Sequence, residues 1–153
     1  MALYLVQHGK SLPKETDPDP GLSDAGIAET RRIAETAVRY GLPVKEIRHS
    51  GKTRARQTAE IFSEALSPEK GLQEREGLKP MDDVTVLSPE LSPGQDLMLV
   101  GHLPFLSRLA AYLVAGRTEP PVLRFQNSGI VCLDKAPEDP WWVMVWTLMP
   151  RIS

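Results

Sequence analysis

Three short stretches carry the side chains best suited to chemistry: Gln7 to Lys10 ("QHGK"), Lys52 to Arg54 ("KTR") and Gly101 to His102. Imidazole can act as a nucleophile or move a proton near neutral pH, and guanidinium offers a planar fork of donors to an oxyanion. A lone histidine after a strand is more often a hydrogen-bonded structural residue than a catalyst. Two of them, each directly after an apolar run, together with an arginine at a helix start, shift that balance toward a site.

The surrounding pattern shows which elements must hold these residues. "ALYLV" before Gln7 and "DLMLVG" before His102 are continuous apolar runs, the signature of strands covered on both faces. "PVKEIRHSG" reads as another strand, followed by a helix with Ala55, Ala59, Phe62 and Leu66 on one stripe until Pro68. A helix is predicted from the N-cap residue Ser23, with Ile27, Ile33, Ala34, Ala37 and Val38 on its apolar face and Gly41 and Pro43 as stops. Another follows His102, with Pro104 in its first turn, a stripe of Leu106, Leu109, Ala110 and Leu113, and Gly116 at its end. Residues 9–22 are turn-rich, and in 67–95 only "DDVTVL" suggests order, as a short helix. "GIVCLDK" and "WWVMVWTLM" are strands joined by the turn "APEDP". Strands alternating with helices predict an α/β fold: three layers, a mostly parallel central sheet and helices on both faces. In such sheets ligands collect at the carboxyl ends of strands, where the three stretches fall.

The 153 residues are read as a single domain, 1–153. A net charge of −2 gives no global basic excess, so nucleic acid is not expected as a partner and any affinity for anions must be local. Cys132 is the only cysteine, excluding a disulfide framework and fitting a reducing cytoplasm. No signal peptide is evident, and the longest C-terminal apolar run, "WWVMVW", is far short of a membrane span.

"LVQHGK", "HSGKTRARQTAEIF", "GLKPMDDV" and "LMLVGHLPFLSRLAAYL" resemble, in order, successive blocks of the histidine phosphatase superfamily in its short, SixA-like phosphohistidine phosphatase branch. The "GLSDAG" helix opening and the late "SGIVCL" extend the resemblance over nearly the whole chain. Its most specific parts are S-x-x-x-R-A-x-Q-T at Ser50 to Thr58 and G-H-x-P at Gly101 to Pro104.

The resemblance implies a histidine phosphatase-like fold and a metal-independent phosphatase without a cofactor. His8 would attack phosphorus and carry the phosphoryl group covalently, splitting one displacement into two. Arg54 and His102 would bind the phosphoryl oxygens, because the transition state spreads negative charge over them. Gly9 would let phosphate approach the backbone. Gln7 departs from the family, which ordinarily has arginine before the nucleophile. Glutamine has neither charge nor fork, and loss of one preorganised donor costs a factor of roughly 10² to 10³. Lys10 and Lys52 flank the same loops and are candidates to supply the missing charge, although each is individually more often a solvated surface lysine.

Other motifs are set aside. "SGKT" would need glycine at position 46 to end a P-loop, and Glu46 stands there. His49 in "RHSG" imitates a nucleophile but precedes the Ser50 block directly. No carboxylate or cysteine accompanies the three histidines at ligand spacing, so a metal is not expected. The general acid is open among Glu74, Glu76, Asp82 and Asp83, with Asp82 and Asp83 the chosen candidates; Leu103 after His102 removes the alternative position. The short interval between Arg54 and His102 leaves no large cap. An open pocket favours a phosphohistidine-bearing protein as substrate, whose labile P–N bond also demands little acid help. The rival readings are a noncatalytic phospho-binding module, weakened by Gln7, and a small-molecule phosphomonoesterase. The sequence leaves the oligomeric state open.

Overall fold

The computed structural model describes residues 1–15 and 17–152. The elements in chain order are strand β1 (Leu3–Gln7), helix α1 (Asp24–Arg39), β2 (Glu46–His49), α2 (Thr53–Leu66), β3 (Leu72–Glu74), α3 (Val84–Leu87), β4 (Leu97–Gly101), α4 (Phe105–Ala115), β5 (Ile130–Asp134) and β6 (Val143–Leu148). Short 3-10 turns at Ser88–Glu90 and Pro93–Gln95 lead into β4.

The strands form one sheet in the order β3-β2-β4-β1-β5-β6. The first four are parallel to one another, β5 runs antiparallel to β1, and β6 runs antiparallel to β5. Strand residues alternate between the two faces. Tyr4, Val6, Met98 and Val100 pack with Ile33, Ala34 and Ala37 of α1 and Ala55, Ala59 and Phe62 of α2. Leu3, Leu5, Leu97 and Leu99 pack on the other side with Val84 and Leu87 of α3 and Phe105, Leu106, Leu109 and Leu113 of α4. Burial on both faces explains why β1 and β4 read as uninterrupted apolar runs, and the α/β layered expectation holds.

Three local readings change. The buried face of α1 comprises Gly26, Glu29, Thr30, Ile33, Ala34 and Ala37. Val38 lies outside it at 47 % exposure, and Ile27 is only half-buried, because the helix turns polar residues toward the site at its start. Pro104 sits at the N-cap of α4 rather than inside the first turn. Strand β3 arises within the stretch read as loop. Leu72–Glu74 has one apolar residue and becomes a strand only through its ladder with Ile47, Arg48 and His49 of β2.

Candidate active site

Strand order explains the meeting of the three stretches. β4 lies between β1 and β2, and all three point their carboxyl ends to one edge, so the residue after β4 falls between the loops after the other two. The His8 N–H extends the ladder to the Gly101 carbonyl at 3.0 Å. The His8 and His102 ring centroids stand 5.1 Å apart, tilted by 50°. Arg54 Nε donates to His8 Nε2 at 3.3 Å. His8, His102 and Arg54 therefore converge on one place.

The hydrogen bonds fix the state of His8. Its Nδ1 lies 2.7 Å from the Gly9 carbonyl oxygen, which can only accept, so the ring proton is on Nδ1 and the lone pair on Nε2. Burial is the main cause of a pKa lowered to about 4, partly offset by the Gly9 carbonyl and reinforced by the Arg54 and Lys14 cations. The imidazole is neutral at ordinary pH, with its free nitrogen toward the guanidinium. The backbone behind it is tied on both sides: Asn127 Nδ2 donates to the His8 carbonyl at 2.8 Å, and Ser128 N–H donates to the Gln7 carbonyl at 2.8 Å.

Each named residue of the Ser50 to Thr58 block has a separate task. Ser50 Oγ is 2.6 Å from His102 Nε2. Arg54 holds His8. Ala55 is fully buried against the sheet. Gln57 Oε1 accepts the Leu22 N–H at 2.7 Å, fastening the long loop after His8. Thr58 Oγ1 accepts the Gly9 N–H at 2.9 Å. Spacings of three and four place Arg54, Gln57 and Thr58 along one side of α2, which is why the pattern is periodic. Asp19, on that loop, caps the helix from outside, accepting from Thr53 N at 3.1 Å and Thr53 Oγ1 at 2.7 Å. These bonds and the nearby Lys52 and Arg54 hold its carboxyl below the ordinary range. Lys52, at the N-cap position, contributes no side-chain cap.

His102 is 1 % exposed, and burial with the His8, Arg54, Lys52 and Lys14 charges lowers its pKa to about 3. Its Nδ1 and the Gln7 Oε1 are buried without a hydrogen-bond partner among the described residues. Gln7 thus places an unanswered acceptor where an arginine would place donors.

Gly9 is required by packing. A Cβ there would lie 2.7 Å from Thr30 Oγ1 and 3.1 Å from Ser128 Oγ, so the residue's bare side faces protein, and its N–H is already given to Thr58. Lys10 contributes its backbone: its carbonyl accepts the Ser23 N–H at 2.9 Å and presses against Gly26. His49 is buried, and its Nδ1 accepts the Gly51 N–H at 3.0 Å, shaping the turn into α2.

Glu74, Glu76, Asp82 and Asp83 line a cavity of about 430 Å³ that shares Ser50 with the histidine site. Asp82 Oδ2 accepts the Lys79 N–H at 2.9 Å, and Asp83 Oδ1 accepts from Thr85 N and Oγ1, which holds the Asp83 carboxyl below its usual range. Both are occupied as turn caps and are poorly suited to donating a proton. The Glu74 carboxyl stands beside the turn into α2, its Cδ 2.8 Å from where a Cβ on Gly51 would be. Among the described residues no group of three or more His, Cys, Asp or Glu is arranged to hold a metal ion. Sequence reasoning passed over Asp19, Asn127, Ser128 and Lys14; the first three act through hydrogen bonds that only the folded loops create.

The same fold recurs in known proteins. The solved structure of the protein histidine phosphatase SixA in complex with tungstate superimposes with a TM-score of 0.83 at 24 % identity, covering 98 % of this chain and 97 % of that one. The α-ribazole phosphatase of Shigella flexneri gives 0.75 at 14 % identity, covering 100 % and 98 %. An uncharacterized protein of Picosynechococcus sp. is 32 % identical over 142 residues, 87 % of this chain and 84 % of that protein. The family model of the histidine phosphatase superfamily (branch 1) matches residues 3–83, which hold His8 and Arg54. With that match over half its length and the His8, Arg54 and His102 cluster at the strand ends, the chain belongs to the histidine phosphatase superfamily.

Proposed function

We propose that this protein is a phosphatase that removes phosphoryl groups from phosphohistidine in another protein, acting in the cytoplasm and without a metal. The observation that carries the reading is the state of His8: proton on Nδ1, lone pair on Nε2, and the Arg54 guanidinium 3.3 Å from that nitrogen. His8 Nε2 attacks phosphorus, the bond from phosphorus to the substrate nitrogen breaks, and the leaving imidazole takes a proton from solvent. Water then attacks the phosphoryl group on His8, releasing a proton to solvent, the N–P bond breaks, and inorganic phosphate leaves with His8 restored. Arg54, displaced from Nε2, turns its donors to the phosphoryl oxygens, which gather charge in the transition state. His102, bound to Ser50, lies close enough to do the same. The fold shared with SixA supports the substrate class, as does an uncapped site beside an open cavity.

A second reading is a small-molecule phosphomonoesterase. The likeness to α-ribazole phosphatase favours it, and the cavity beside Ser50 has room for a leaving group. An alkoxide must then be protonated, and Glu74 is better placed for this than Asp82 or Asp83. The deciding experiment compares wild type with His8→Ala on a phosphorylated phosphocarrier protein and on sugar phosphates at equal concentration. The expected result is an acid-labile phosphoryl label on wild type, its absence in His8→Ala, a rate loss of at least about 10³-fold, and preference for the protein substrate. Equal rates in the two proteins reject a nucleophilic His8. A label that forms and never turns over identifies a phospho-binding module instead.

A further inference from the structure

The site as described is short of positive charge. Both imidazoles are neutral at ordinary pH. Arg54 shares its field with the Asp19 carboxylate, which is fastened to the neighbouring Thr53. Gln7 adds a buried acceptor oxygen without a partner among the described residues. A phosphoryl dianion entering this place would be held more firmly by a cation in addition to Arg54, since charge-assisted donors are what hold such groups.

The loop from Gly9 to Leu22 is folded back on itself. Ser11 and Leu22 form an antiparallel bridge, and Leu12 N–H donates to the Gly21 carbonyl at 2.9 Å. Its returning limb is tied to α2 at two points, Asp19 to Thr53 and Leu22 to Gln57, on either side of Arg54. The outgoing limb starts at His8 itself. Lys14 lies at the turn between the limbs and is exposed, its ammonium carried on a flexible four-carbon stem. The field of its ammonium reaches both imidazoles, whereas that of Lys52 bears on His102 of the two.

We infer that Lys14 is the phosphoryl-binding cation that replaces the charge absent at Gln7, reaching into the site from the folded-back loop. The inference deepens the phosphatase reading and rests on it for the identity of the anion. It differs from the sequence expectation, which placed the replacement at Lys10 or Lys52. A positive charge displaced by several residues keeps the electrostatic attraction but gives up the rigid fork of an arginine. Binding of the dianion then orders an exposed side chain that makes no ion pair among the described residues.

The test uses tungstate binding at equilibrium, which needs no turnover, with wild type, Lys14→Met, Arg54→Ala and Lys70→Ala. Lys70 is exposed, at the turn preceding β3, and serves as the charge-loss control. Lys14→Met is expected to weaken tungstate by about tenfold or more and flatten its salt dependence, and Lys70→Ala to leave both within about twofold. Gln7→Arg introduced into Lys14→Met is expected to restore affinity to near the wild-type value, because the charge returns by the other route. Wild-type affinity in Lys14→Met overturns the inference, as does failure of Gln7→Arg to rescue. Lys14-dependent binding together with hydrolysis that is indifferent to His8→Ala rejects the phosphatase reading and leaves Lys14 standing. No tungstate binding by wild type overturns both.

Discussion

The histidine site and the cavity beside it share Ser50 and differ in almost everything else. The first is built from the ends of three adjacent parallel strands and gathers two neutral imidazoles and a guanidinium. The second is walled by the segment from Glu74 to Glu90, which contributes five carboxylates and two cations, Arg75 and Lys79. Arg75 is moreover engaged by both Glu90 oxygens at 2.6 Å. Under the proposed reaction the first region receives the anion being transferred, and the second suits a neutral or cationic leaving group. The contrast teaches that the two regions are built by different parts of the chain, so that, on the proposed function, phosphoryl binding and leaving-group selection can be altered separately.

The largest expected effect comes from the anion side. Arg54→Ala should lower kcat/KM by about 10² to 10³-fold, and Arg54→Lys should recover only part, since a point charge replaces a fork. Kinetics with a chromogenic aryl phosphate check this, and a loss below fivefold would show that Arg54 does not hold the phosphoryl oxygens. On the leaving-group side, Glu74→Gln should reduce turnover of an alkyl phosphate by about 10 to 100-fold while changing that of a phosphohistidine protein little. Tungstate affinity should stay within about twofold, because Glu74 faces the cavity. Weakening comparable to that of Arg54→Ala would erase the distinction between the two regions.

The smallest effect concerns stability. His8 and His102 have folded pKa values of about 4 and about 3, below the ordinary 6.5, so as pH falls the unfolded chain takes up protons first. Their contribution is complete above about pH 6.5 and is lost as pH falls through the folded values. Replacing one with a residue that does not titrate, as in His8→Asn, should reduce the fall in Tm between pH 7 and pH 4 by roughly 4 °C. Identical pH profiles for variant and wild type would mean that burial does not hold His8 neutral.

The two regions were unequally legible in the sequence. His8 and His102 follow apolar runs whose burial on both faces is written in consecutive residues, and Arg54 sits on a helix with a regular stripe. The partners that set their states were not legible. Asn127 reaches His8 across 119 positions, and Ser128 joins Thr30 at 2.7 Å across 98. The 67–95 segment has no periodicity to read, and its strand exists only because β2 offers an open edge. Asp82 and Asp83 look like acids by type, yet backbone N–H groups claim both as caps. Lys14 carried no motif at all; its place follows from how the loop is laced.

The backbone around His8 is held on both flanks, by the Gly101 carbonyl of β4 on one side and the Asn127 side chain on the other. Residues fixed in this way do not open by local fraying; they are released only when the whole fold gives way. Heat should therefore abolish activity and helical signal in a single step, with no interval in which an intact-looking molecule has gone catalytically silent.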